Sequence, residues 1–256
     1  MASKPTAQTA IDILERLKGN VGVAALAYWI TPNSILTLSG ARAYCDGVFY
    51  HSNKKQLAEW TTEMAQSIEA LKSITDIYFA EAKVDKTTSQ ENYAGYDAVF
   101  TIGLNFVLNN TELLDDSKFD LAQQMLSGEK LVEAICTLLK QDERFMQYSK
   151  ENLNHMAFGI LVGYPDKAIL GLVSDWEKDD PFAEPFIDAD IRGSWYYICP
   201  RPVYSYPRHL VNDTHINTHE QLWSGILQDF YTSSFHETLA KDSIFKSKAN
   251  ELGLYR

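Results

Sequence analysis

The chain has 256 residues, of which 45% are hydrophobic and 22% charged, and a formal net charge of −11. Those values suit a globular chain with a substantial core and exclude disorder throughout. The acidic balance argues against a nucleic-acid partner, which needs a basic face to neutralise phosphates, and no basic run exceeds Lys54-Lys55.

In chain order, Thr9 to Lys18 reads as a helix: Ala10, Ile13, Leu14 and Leu17 share a face, and Gly19-Asn20 is its expected stop. Val21 to Ile30 is apolar all round and reads as a buried helix or strand. The stretch "SILTLSGARAYCDGVFYHS" looks extended, and Asp46-Gly47 between two apolar and aromatic runs predicts a hairpin near 34–51. Leu57, Trp60, Met64, Ile68 and Leu71 space a helix over Lys54–Leu71, and "DIYFAEA" reads as a strand. Lys83 to Tyr96 is polar and reads as a loop, after which "DAVFTIGLNFVL" resumes a strand-like run.

From about 117 to 176 the pattern is helical, with Leu131, Ala134, Ile135 and Leu138 on one stripe. Five of the eight prolines then fall between Trp176 and Arg208, so that segment runs extended, with "SWYYICP" as a candidate strand. Helices follow over Thr218–Phe230 and from Ser233-Ser234 towards Leu252. Helices, a small, largely antiparallel sheet and no regular βαβ alternation predict an α+β fold, read as one mixed domain over 1–256.

Cys45, Cys136 and Cys199 are odd in number and widely spaced, which is neither a disulfide framework nor a metal knuckle. The start of the chain lacks the layout of a signal peptide, and the longest uncharged run, Gly19 to Ala41, is broken by Asn20, Thr31-Pro32-Asn33 and Ser39-Gly40. The expectation is a soluble, cytoplasmic protein of a reducing compartment with no membrane partner.

The most strongly patterned stretch is "NHMAFGILVGYPDKAILGLVSDW". Leu153, Met156, Ile160, Leu161 and Tyr164 form one helical face, and Ala168, Ile169, Leu172, Val173 and Trp176 form another. Gly163 suits the residue just past a helix end, Pro165 the first position of the next helix, and Asp166 the positive end of its dipole. A resident carboxylate and a missing donor disfavour anion binding there. The corner therefore reads as punctuation between two packed helices, with His155 as its one candidate functional side chain.

Four further constellations carry chemistry. His215 and His219, four apart, would share a helix face and hold a metal ion, although Asn217-Thr218 reads as the helix N-cap and no third ligand is evident. Cys45 is a candidate nucleophile of a hydrolase, with a remote base such as His155 or His209, because the predicted hairpin leaves His51 too far along the second strand. Asp188-Ala189-Asp190 has the D-x-D spacing by which glycosyl or nucleotidyl transferases hold a divalent ion, set in an acidic, proline-bearing segment. Finally, Arg192, Trp195, Tyr197, Arg201, Tyr204, Tyr206 and Arg208 interleave the residue types that dominate binding hot spots. The leading expectation is therefore a small molecule or protein partner bound through about 192–208. A Cys45 or His215/His219 hydrolase and an Asp188/Asp190 transferase are the alternatives, and no pattern points to a cofactor.

Overall fold

A computed structural model describes residues 5–51, 54–87, 95–104, 111–114, 131–177, 186–189, 191 and 204–254. The fold is α+β, as the sequence predicts, and the chain divides into two compact units. The first comprises Met1–Asn105, Arg192–Arg201 and Gly225–Arg256, and the second Phe106–Ile191 and Pro202–Ser224.

In the first unit, α1 (Ala7–Val21) starts where the Thr6 hydroxyl accepts the Thr9 N–H, and buries Ala10, Ile13, Leu14 and Leu17. It runs through Gly19-Asn20 and stops at Gly22 (φ +82°), so the earlier glycine does not end it. A 3-10 turn over Ala24–Tyr28 settles the ambiguous apolar run. The start of the segment expected to be extended is instead helical: α2 (Pro32–Leu38) is capped by Thr31, whose hydroxyl accepts the Ser34 N–H, with Pro32 in its first turn. Ile35 and Thr37 are β-branched, but the whole helix except Asn33 is buried, and packing outweighs that modest propensity.

The predicted hairpin is also absent. Tyr44–His51 is one strand, β1, running straight through Asp46-Gly47. It pairs antiparallel with β3 (Gly95–Leu104), with Gly47 opposite Phe100, and β3 pairs on its other side with β2 (Ile77–Thr87), giving the order β1-β3-β2. A Cβ at Gly47 would run into Cε1 of Phe100. The glycine is there to make room for a ring, not to turn the chain. Phe100 packs against Trp29 (4.9 Å between centroids) and stacks on Phe49 (6.0 Å). The loop expected over Lys83–Tyr96 is strand at both its ends, since β2 continues to Thr87 and β3 starts at Gly95; residues 88–94 lie outside the described residues.

Helix α3 (Lys54–Ile74) buries Trp60, Met64, Ile68 and Leu71. After Ser233 come α8 (Ser234–Lys241) and α9 (Ser243–Glu251), two helices in place of the single one expected. Asp242 closes α8 and caps α9, accepting the N–H groups of Ile244 and Phe245. Lys248 of α9, 8% exposed, ion-pairs with Glu63 of α3 at 2.9 Å, and the Tyr28 hydroxyl donates to the same carboxylate at 2.6 Å.

In the second unit, α4 (Leu131–Lys140) buries Leu131, Ile135, Cys136 and Leu139. Helix α5 (Lys150–Leu161) starts at Ser149, whose hydroxyl accepts the Asn152 N–H. It ends in a Schellman motif: Tyr164 N–H donates to Gly159 C=O, Gly163 N–H donates to Ile160 C=O, and Gly163 takes φ +75°. Helix α6 (Asp166–Glu177) follows directly, so the helix–corner–helix read from the sequence is present. Asp166 does more than favour the helix dipole. Its carboxylate accepts from the Thr111 hydroxyl (2.9 Å) and the Glu112 N–H (2.6 Å), tying residues 111–114 to the corner. Short strands β4 (Phe186–Asp188) and β5 (Ser205–Pro207) pair antiparallel.

Helix α7 (Thr214–Tyr231) begins four residues before the expected cap. Asp213 supplies the cap, accepting the N–H groups of His215 and Ile216. No helix among the described residues is long and apolar enough to cross a membrane.

Candidate functional site

Helices α5 and α6 approach closely because Gly159 faces Ile169: a Cβ there would come within 2.8 Å of the isoleucine Cγ1. Strand β5 lies close on α6 in the same way: a Cβ at Gly171 would come within 2.7 Å of Pro207 Cδ. These contacts leave an open pocket of about 110 Å³. Ala168, Ile169, Leu172 and Val173 of α6 form its aliphatic side, while Phe158, Tyr164 and Tyr204 supply aromatic walls. Two polar side chains complete the lining, Ser205 and the exposed His155.

Tyr204 is fixed from behind. Its hydroxyl lies 3.2 Å from Nδ1 of His219, whose Nε2 lies 2.8 Å from the carbonyl oxygen of Gly163. A carbonyl only accepts, so Nε2 carries the proton; in the neutral ring Nδ1 is then an acceptor and the Tyr204 hydroxyl is the donor. The imidazole is sandwiched between Trp223 (4.4 Å between centroids) and Tyr204 (5.4 Å, edge-on), and Tyr204 lies 5.2 Å from Tyr164. Burial pushes the Tyr204 hydroxyl well above the ordinary tyrosine range, with the charge of Glu220 adding to it, so it stays a neutral donor. His219 thus pins α7 to the corner after α5 and to the residue entering β5.

The rim carries a carboxylate. Ser205 donates to Oδ1 of Asp188 at 2.7 Å across the β4–β5 pair, and Asp188 is exposed.

Of the residues singled out from sequence, His155, Tyr204 and, through Ser205, Asp188 come together here. Tyr206 is not part of the pocket lining, and its hydroxyl donates to Glu220 at 3.2 Å. Arg208 and His209 lie on an exposed 3-10 turn and do not line the pocket. Arg192, Trp195, Tyr197 and Arg201, together with Asp190, lie outside the described residues.

The chemical alternatives fare differently. Cys45 lacks the character of a nucleophile: it is fully buried on β1, and burial pushes its thiol up to about 12 despite the opposing charge of Arg42. His215 and His219 do share one helix, but both nitrogens of His219 are engaged by Gly163 and Tyr204. No group of three metal-ligating side chains occurs among the described residues, for that pair or for Asp188.

The sequence reading missed the α6 wall, because Ala168, Ile169, Leu172 and Val173 have the spacing of ordinary core positions. Gly159 and Gly171, small residues in mid-helix where they cost stability, were the available signal of close approach. No protein family, curated protein or solved structure matches this chain.

Proposed function

We propose that this is a binding protein that takes a compact apolar group of a small ligand into the pocket between α5, α6 and β5. The observation that carries this reading is an open, mainly apolar recess beside the only stretch of the Arg- and aromatic-rich segment that is described. Its polar side chains are few, Ser205 and His155, against mainly apolar walls, the composition of a pocket that holds a small ligand. An apolar cavity of roughly 150 Å³ suffices to bind benzene, so about 110 Å³ with an open mouth accommodates most of a ring. Free Cys45 and Cys136 support a reducing, intracellular setting, and the net charge of −11 disfavours nucleic acid as the partner.

Titration of the isotope-labelled full chain with 2-phenylethanol tests this. Amide shifts are expected in α5, α6 and at Tyr204-Ser205, and Leu172→Trp, which fills the recess from a partly exposed position, should abolish them. Shifts spread over the surface, or unchanged in the Trp variant, would sink the reading.

A further inference from the structure

Accepting that pocket, its rim identifies the charge of the ligand. Ser205 is part of the lining, and its hydroxyl is committed to Asp188 at 2.7 Å, so a carboxylate stands one hydrogen bond from the recess. Asp188 is exposed, and among the described residues no Lys or Arg ion-pairs with it. Ser205 engages Oδ1, which leaves the other oxygen of this exposed carboxylate as the acceptor for a ligand.

The walls favour a ring. Phe158, Tyr164 and Tyr204 all line the recess, and a planar group gains from offset or edge-on contacts with such rings beyond its buried area. The net charge of −11 raises the local concentration of cations and lowers that of anions.

We propose that the pocket selects a small arylalkyl-ammonium, its ring held by Phe158, Tyr164 and Tyr204 and its ammonium paired with Asp188 at the rim. Both groups fit one short molecule because Ser205, which lines the recess, itself holds the carboxylate. The inference rests on the binding reading above, and three probes with the same phenylethyl frame separate the two.

Phenethylammonium, 2-phenylethanol and phenylacetate are titrated separately into the full chain, with amide shifts as the readout. The ammonium should bind about three- to fivefold tighter than the alcohol, the range expected for a solvent-exposed ion pair. Asp188→Asn, which keeps the shape and the acceptor for Ser205, should erase that preference by bringing ammonium binding down to that of the alcohol. Should the variant disturb β4–β5 pairing, raising salt from about 0.02 to about 0.5 M must collapse the preference in the unaltered chain, because screening shortens the reach of an exposed charge.

Equal affinity for the three probes overturns the charge assignment and leaves the pocket standing. Tightest binding of phenylacetate overturns it in favour of His155 as an anion partner. A peptide with N-terminal phenylalanine binding more tightly than the free amine overturns the small-molecule assignment. If none of the three probes shifts the pocket amides, both readings fail.

Discussion

The two compact units differ in where their polar side chains stand. In the first, buried charge is answered from within: Lys248 meets Glu63, the Tyr28 hydroxyl donates to the same carboxylate, and Arg42, 3% exposed, donates to Asn33. In the second, exposed polar side chains stand at the recess: His155 lines it, and Asp188 accepts from the lining Ser205. Both units hold a histidine by a backbone carbonyl, yet to different ends. His236 closes a helix joint through Nδ1 and Tyr231 C=O (3.1 Å), whereas His219 positions an aromatic wall. Polar groups that satisfy one another make a fold unique, while polar groups left at an apolar recess are what a ligand can read.

The largest test of that contrast is a pair of truncations. Phe100→Ala removes a fully buried ring from the first unit and should cost about 3–5 kcal/mol in chemical denaturation. Leu172→Ala, at the pocket, should cost about 1 kcal/mol or less, since it widens an existing recess instead of opening a new void. Equal losses would mean that the pocket is closed in solution.

A pair of glycine replacements comes next. Gly47→Ala drives a Cβ into the Phe100 ring, which Trp29 and Phe49 hold in place, and should cost roughly 2–3 kcal/mol. Gly159→Ala meets the isoleucine side chain at position 169, which can rotate towards the recess, and alanine regains about 1 kcal/mol of helix propensity. Its net effect should lie near zero, and a loss as large as that at position 47 would erase the distinction.

Lys248→Ala leaves the Glu63 carboxylate without its cation. With Glu63 about one-third exposed, the loss should be about 1–2 kcal/mol, below that of a fully buried pair, and urea titration reads it directly.

The smallest effect is one of pH. Burial lowers the affinity of His236 for a proton below the ordinary histidine value, opposed by its bond to Tyr231. The unfolded chain therefore binds the proton more readily. This contribution is fully present above the unfolded value of about 6.5 and is lost as pH falls below it, by at most about 1.4 kcal/mol per pH unit. His236→Asn, whose amide nitrogen can donate to Tyr231 in place of Nδ1, should flatten that slope. A slope unchanged in the Asn variant would show that His236 is not the titrating group.

Local signals were legible in the sequence where one residue type had one job. Gly163, Pro165 and Asp166 marked a corner that the fold contains, and the faces of α1, α3 and α5 followed from spacing alone. The misreadings came where a residue served a distant partner. Asp46-Gly47 has the composition of a turn, but the glycine answers Phe100, which is fifty-three positions away in sequence and opposite only once β3 has paired. Thr31-Pro32 carried the start signal of α2, and Asp213 that of α7, although extended-looking composition and Asn217-Thr218 pointed elsewhere. The pocket was the least legible feature. Its aliphatic wall differs from a filled core only in what fails to pack against it, and spacing cannot express that.

The composition of the first unit has a consequence for how the chain is made. Its sheet and first three helices come from Met1–Asn105, but α8 and α9 come from beyond Gly225, and the Tyr231 hydroxyl donates to the Ile30 carbonyl across 201 residues of sequence. During synthesis the apolar surfaces around Tyr28–Ile30 must wait, uncovered, until α8 and α9 have left the ribosome. Most of the second unit precedes those helices in the chain, so it emerges before the first unit can close. Loss of α8 and α9 should therefore yield a chain that collapses and associates with itself before it loses the fold around the recess.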